Sequence, residues 1–292
     1  MSKLTFPDGV KYEYSFVSPG DYVDNPEIKS TEYLYRSVSR QVVDVKIDTS
    51  AVTTMRSMFT SCSNLLSVPL FDTSKVTDMY QMFYNCPKLV SVPLLDTSNV
   101  TTMYQMFYSC SNLLSVPLFD TSKVTDMGYM FYKCTNLHDI SLPDCSAVTN
   151  VQYMFQGCSG LQSVSLTNTS NLKTLNYMFS ECNRLESVGL LDCSSVTSLN
   201  YMFSGTKYFL KNLGGFKDLG KQSSVSGTNS TGFLAELLYI THESLMNVIN
   251  NLYDRKTAGL STLSLKLGSN NLAKLTDEEK ALATAKGWSL AT

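Results

Sequence analysis

The sequence predicts an α/β repeat, a solenoid with a parallel sheet on one face and short helices on the other. Three observations predict it. Cys62, Cys86, Cys110, Cys134, Cys158 and Cys182 recur every 24 residues. A Met-Phe pair keeps the same phase at Met58-Phe59, Met82-Phe83, Met106-Phe107, Met130-Phe131, Met154-Phe155, Met178-Phe179 and Met202-Phe203, which makes seven copies. Within each copy the apolar spacing changes from helical to alternating. Self-similarity at a fixed period of roughly 20–50 residues marks a stacked array, and 24 is too short for a propeller blade of about 40.

Taking Asp48 as the first residue of a unit, the copies begin at 48, 72, 96, 120, 144, 168 and 192 and run to Gly215. In the second copy Val76, Met79, Met82 and Phe83 follow helical spacing. Thr77–Tyr84 is therefore expected to be a short helix, with Thr73, Ser74 or Thr77 as the capping hydroxyl. Val92 and Leu94 alternate, so residues 91–94 are expected to form a short strand. Stacked strands repeat at about 4.8 Å, giving a sheet on the order of 34 Å long. One unit buries too little apolar surface to offset the ordering of its own backbone, so neighbours must share a core. Pro69, Pro93 and Pro117 fall inside the strand frame, where proline forfeits a ladder hydrogen bond. Bridges rather than full strands are expected in that half.

Three segments follow: 1–47, the 48–215 array, and 216–292. In the first, Lys3–Phe6, the Pro7-Asp8-Gly9 turn and alternating Tyr12, Tyr14 and Phe16 read as a hairpin, and Val43, Val45 and Ile47 as a further strand. This segment is expected to cap the open sheet edge; a docking domain is the alternative. After a Gly/Ser-rich loop at 220–232, Phe233–Ile240 reads as a strand or buried segment. Thr241 caps a helix through Leu252, Leu263–Leu267 alternate as a strand, and Thr276–Glu279 is a capping box opening a last helix towards Trp288. The tail reads as the solenoid continuing into a C-terminal cap.

Composition narrows the function. The 292 residues are 43% hydrophobic and 16% charged, with a formal net charge of −2. No basic stripe exists for counterion-release binding, so nucleic acid is not an expected partner. Met1–Pro7 lacks the apolar run of a signal peptide, and no stretch approaches the roughly 18 apolar residues of a membrane span. The expected location is a virion or cytoplasm for the chain as written, and a cell surface if its natural start lies upstream.

The run Cys62-x-x-Leu65-x-x-Val68-x-Leu70-x-x-Thr73 fits the leucine-rich-repeat frame. Preceded by Met58-Phe59 and followed by Asp72-Thr73-Ser74-x-Val76-Thr77, it resembles the BspA-like leucine-rich-repeat surface proteins over about 48–215. The resemblance implies surface display, adhesion and protein binding rather than catalysis. The family's ladder position carries Thr73, Thr97, Thr121, Cys145, Thr169 and Cys193 in place of asparagine.

Each residue ladder has a bland and a sharper reading. The cysteines read as buried thiols, with disulfides the alternative, since rung spacing permits them; spaced zinc motifs are absent. Asp48, Asp72, Asp96, Asp120, Asp144 and Asp192 set like charges in a row that repel by about 3.5 kcal/mol at an effective dielectric of 20. Turns in which each carboxylate accepts from a backbone N–H two residues on are the expected compensation, with a bound cation the alternative. Tyr84, Tyr108 and Tyr132, and Tyr129, Tyr153, Tyr177 and Tyr201, either pack between coils or grip a sugar or partner. The expected binding surface is the outward sheet face, Phe71, Leu95 and Phe119 with Ser67, Ser91 and Ser115, taken to alternate with inward leucines. Gly215–Lys221 has phosphate-loop spacing, but Gln222 replaces the required hydroxyl. No catalytic constellation, cofactor or metal is expected. The expected role is recognition of a protein or glycan on a cell surface; the alternative is a structural subunit of a bacteriophage tail or head, contacting neighbouring virion subunits.

Overall fold

The structure, a computed structural model, describes residues 2–5, 11–14, 22–23, 30–32, 34–37, 46–206, 208–228 and 231–292. It is a leucine-rich-repeat solenoid in which each 24-residue unit makes one coil. Corners of three residues turn the chain. Val76 N–H donates to the Thr73 carbonyl at 2.9 Å, Met82 to Met79 at 3.2 Å and Leu89 to Cys86 at 3.1 Å.

From the second corner to the third, alternate backbone N–H groups bond outside the coil. Met79, Gln81, Phe83 and Asn85 donate their N–H groups to the carbonyls of Thr102, Tyr104, Met106 and Tyr108 in the next coil, at 3.2, 3.0, 2.9 and 2.7 Å. Gln81 and Asn85 take the left-handed region to do so, with φ of 54° and 57°. Thr77–Tyr84 is thus an inter-coil bridge at Asp78 followed by turns from Tyr80, not the expected helix. Over eight residues a three-residue corner spacing and a 3.6-residue helical spacing select nearly the same apolar positions. The bonds decide between them, because N–H groups given to the next coil cannot also close helical turns.

Parallel bridges run unbroken through Ser30, Thr54, Asp78, Thr102, Asp126, Asn150, Thr174, Ser198 and Ser226. The leucine-rich-repeat sheet itself occupies only the later coils. It orders β5 (Asp139–Leu142), β6 (Ser163–Leu166), β7 (Ser187–Val188) and β9 (Asn212–Leu213), all parallel; β8 (Leu191–Asp192) pairs with β10 (Phe216–Lys217). β5 begins at the first coil where Ser141 stands in the proline position. In the proline coils one backbone bond per rung remains, Val90 to the Leu66 carbonyl at 3.2 Å and Leu114 to Val90 at 3.1 Å.

The core is one continuous column. Tyr35, Phe59, Phe83, Phe107, Phe131, Phe155, Phe179 and Phe203 stack with centroids 5.2–5.6 Å apart and planes within 12°. Beside it, the thiols of Cys86, Cys110, Cys134, Cys158 and Cys182 donate to the carbonyl of the phenylalanine 27 residues earlier, at 2.9–3.1 Å. Thr206 occupies this position in the seventh copy and donates to the Phe179 carbonyl.

β1 (Ser2–Thr5) pairs antiparallel with β2 (Lys11–Tyr14), and β3 (Tyr22–Val23) parallel with β4 (Lys46–Ile47). Phe6, the Pro7-Asp8-Gly9 turn, Phe16, Val43 and Val45 lie outside the described residues. After Ile240 true helices appear. Thr241 caps α1 (His242–Asn250), and Thr276 and Glu279 form the capping box of α3 (Asp277–Ala285), which follows α2 (Ser269–Leu272). Phe233–Ile240 is the buried alternative rather than a strand: a single π turn over Thr231–Ala235 puts Phe233, Leu234, Leu237 and Ile240 in the core. β11 (Leu263–Lys266) and β12 (Trp288–Ala291) pair in parallel beyond it.

The column predicts a contrast. Phe131→Ala should lower stability by about 3–5 kcal/mol, whereas Cys134→Thr, which keeps a donor of similar size, should cost under about 1.5 kcal/mol. Urea unfolding of the two variants measures both.

Candidate recognition surface

The three proline coils expose apolar side chains on consecutive rungs, while Leu190, Tyr208, Phe209, Leu238 and Tyr239 are exposed farther along the chain. In β5 the alternation is regular, with Ile140 and Leu142 inward and Asp139 and Ser141 outward. Proline breaks that phase. It supplies no N–H to the ladder, so the chain leaves strand geometry after Val68, Val92 and Val116 and the next two residues exchange sides. Leu70, Leu94 and Leu118 point out, 70%, 63% and 66% exposed. Phe71, Leu95 and Phe119 turn in, 5%, 2% and 0% exposed, and Phe71 and Phe119 pack on Phe59 and Phe107. The expected face is therefore corrected. Phe71, Leu95 and Phe119 are core, and the leucines taken as inward are the exposed ones.

A second column parallels the first: Leu66, Val90 and Leu114 are also exposed. Ser91 and Ser115 are exposed and Ser67 half-buried between the two columns, so the serines remain on the surface. The stripe stops at the fourth coil, where His138, Asp139, Ser141 and Pro143 take the outward positions. Sequence reasoning missed it by assigning the frame's leucines to the core; the prolines were the signal.

The tyrosines form ladders on the turn side. Tyr80 and Tyr104 stack at 5.4 Å, Tyr84, Tyr108 and Tyr132 at 4.6 and 4.5 Å, and Tyr129, Tyr153, Tyr177 and Tyr201 at 4.5–5.0 Å. Tyr104 meets Tyr129 edge-on at 5.8 Å, and Gly128 leaves room for it, since a Cβ there would lie 2.9 Å from the Tyr104 ring. Tyr129, Tyr153, Tyr177 and Tyr201 hold left-handed φ of 55–59°, which costs about 1–2 kcal/mol each. Stacking and the inter-coil bonds offset that strain. Ring faces inside the ladders cover one another, so few remain for a sugar to lie against. Burial, then its tyrosine neighbours, pushes the Tyr108 phenol up to about 12.

The aspartates resolve as turns. Asp72, Asp96 and Asp120 each accept from the backbone N–H, at 3.0 Å, and from the hydroxyl, at 2.6–2.7 Å, of the serine two residues on. Asp48, Asp144 and Asp192 accept the same backbone bond at 2.9–3.1 Å. Asn168 departs from the pattern, donating its amide to Asp144 at 3.2 Å. Among the described residues no group of three or more His, Cys, Asp or Glu is placed to hold a metal ion.

All eight cysteines are buried thiols. Burial pushes Cys110 and Cys145 up to about 12. At the ladder position Thr121 and Thr169 donate to the Asp144 and Asp192 carbonyls, while the buried hydroxyls of Thr73 and Thr97 have no partner. The 215–221 loop is not a phosphate cradle. The buried Arg255 guanidinium takes the carbonyls of Gly220, Gln222 and Ser223, so this loop presents acceptors where a phosphate needs donors.

With this geometry in place, comparison finds a family. The family described as "Mycoplasma protein of unknown function, DUF285" matches residues 29–137, 90–190 and 114–216, more than half of the chain. The chain belongs to this family. Similar solved structures include a leucine-rich-repeat protein of T. pallidum, 19% identical over 70% of this chain and 86% of that one, with a TM-score of 0.43. A leucine-rich cell-surface protein of Faecalibacterium prausnitzii is 16% identical, covers 78% of each chain and has a TM-score of 0.30. An internalin of Listeria monocytogenes is 16% identical over 79% of this chain and 81% of that one, with a TM-score of 0.28. Among curated proteins none matches. No helix among the described residues is long and apolar enough to cross a membrane.

The surface chemistry of this DUF285 member gives two expectations. Serine hydroxyls and then serine N–H groups hold the carboxyls of Asp72, Asp96 and Asp120 below the usual range, against the raising effect of partial burial and like charges. Because the folded values lie below the unfolded one of about 3.9, this stabilisation is complete above that pH and disappears as pH falls through the folded values. Thermal unfolding should be flat from neutral to about pH 5 and drop below about pH 4, with a smaller drop in Asp96→Asn. The native chain should resist an aromatic disulfide reagent, and eight thiols should titrate after denaturation without reductant.

Proposed function

We propose that this chain is a non-catalytic recognition module that binds a protein partner through the leucine stripe of its proline coils, in the manner of the BspA-like surface proteins it resembles. The observation that carries this is the exposure of Leu70, Leu94 and Leu118 on adjacent rungs. Contiguous exposed apolar stripes of this kind mark contact surfaces, whereas scattered exposed leucines do not. A protein fits better than a glycan, because the surface columns here are aliphatic and the tyrosine faces are largely occupied by one another. Display at a cell surface accords with this role. No observation favours the virion-subunit alternative.

The test is binding of the purified chain to cells whose surface proteins or surface glycans have been removed selectively. Protein removal should abolish binding and glycan oxidation should not. Leu94→Asp should weaken binding at least about tenfold, as truncation of a central apolar anchor does, with an unchanged thermal midpoint. Full binding by Leu70→Asp, Leu94→Asp and Leu118→Asp combined would reject the stripe.

A further inference from the structure

We propose that the leucine stripe also joins two copies of this chain, face to face, about a two-fold axis parallel to the stacking axis of the coils. This rests on the stripe being a protein-binding surface and names a partner for it. The first observation is the symmetry of the face. Leu66, Val90 and Leu114 form one column, and Leu70, Leu94 and Leu118 the other. The buried Val68 and Val92 lie between them. A two-fold axis between the columns lays each on the other column of the partner, rung for rung, and isologous pairing requires just such self-complementarity.

The rims give the second observation. Beyond the Leu70 column lie Asp72, Asp96 and Asp120, all exposed acceptors. Beyond the Leu66 column lie Asn64, Lys88 and Asn112, which carry amide and ammonium donors. The same axis sets donors on acceptors, with Lys88 against Asp96 of the second copy. A two-fold along the strand direction would instead bring aspartate against aspartate, a like-charge juxtaposition that disfavours it.

Size is the third. The six apolar side chains with their proline and serine neighbours expose on the order of 500 Å². Adding both rims brings the face close to the roughly 800 Å² per partner typical of stable complexes. Three rungs span only about 10 Å, so any curvature of the solenoid hardly separates the two faces.

Sedimentation equilibrium of the full chain tests the pairing. The chain should be dimeric at micromolar concentration, and Leu94→Asp and Lys88→Glu should each weaken the dimer at least about tenfold. The register is tested by oxidation of exposed cysteines, the native ones being buried. Val90→Cys combined with Leu94→Cys should cross-link two chains, and Leu94→Cys alone should not. Cross-linking by Leu94→Cys alone would overturn the proposed axis. A wild-type chain that stays monomeric overturns the pairing, and so does one whose dimer is indifferent to Leu94→Asp. Cell binding that Leu94→Asp still abolishes would in that case leave the recognition reading standing.

Discussion

Everything in this molecule depends on backbone groups of one coil bonding to the next coil at a constant offset. Met79 bonds to Thr102, Gln81 to Tyr104, Phe83 to Met106 and Asn85 to Tyr108, and the pattern repeats coil after coil. An insertion of one residue in a unit would put every later side chain out of column. The constant length of 24 residues follows from that bond, and so do the stacked phenylalanines, the thiol-to-carbonyl bonds and the tyrosine ladders. The bond also requires two left-handed residues per coil, several of them tyrosine. A conformation unfavourable for one residue is held because the adjacent coils impose it in turn along the stack, which is what makes a repeat array cooperative.

Against this background proline becomes a positional switch. Where Ser141 or Ser165 occupies the strand centre, the ladder closes and the outward side is polar. Where proline occupies it, one bond per rung remains, the alternation slips and leucine is displayed. The core loses little, because Phe71, Leu95 and Phe119 rotate inward to fill the space. One substitution per unit therefore exchanges which of two neighbouring apolar residues is core and which is exposed. Gly189 has a similar effect in the sixth coil, where Leu190 is exposed and Leu191 buried.

Much of the fold was legible in the sequence, and the exceptions share one cause. Period, phase, buried cysteines, aspartate turns and the capped helices at Thr241 and Thr276 are local or periodic properties, and one chain carries them. The Thr77–Tyr84 segment was misread because its distinguishing bonds join residues 23 apart in sequence. The same limit hid the stripe. Alternation extended across Pro69, Pro93 and Pro117 puts Phe71 outside and Leu70 inside, the reverse of what the broken ladder produces. Side-chain direction after a broken ladder depends on what the neighbouring coil can accept, here the Phe59 ring. The tyrosine crossover at Gly128 was illegible for a similar reason, since only the approach of the Tyr104 ring shows why a side chain is excluded there.

Displaying leucine through proline also restrains how the face can be used. A flat apolar sheet with an intact ladder is prone to sheet-on-sheet stacking, and an open edge invites strand addition. The proline coils keep the apolar side chains but lose the flat ladder beneath them, so a partner must be held by side-chain packing rather than by backbone pairing. Packing against six aliphatic groups in two columns rewards a partner with matching columns at the rung spacing. In the pairing proposed above, the donor rim on one side and the acceptor rim on the other set the direction. The polar fourth coil, with His138, Asp139 and Ser141 outward, ends the stripe after three rungs. Among the described residues of the later coils the exposed large apolar side chains, such as Leu190, Tyr208, Phe209 and Tyr239, do not repeat from rung to rung as the leucines of the proline coils do.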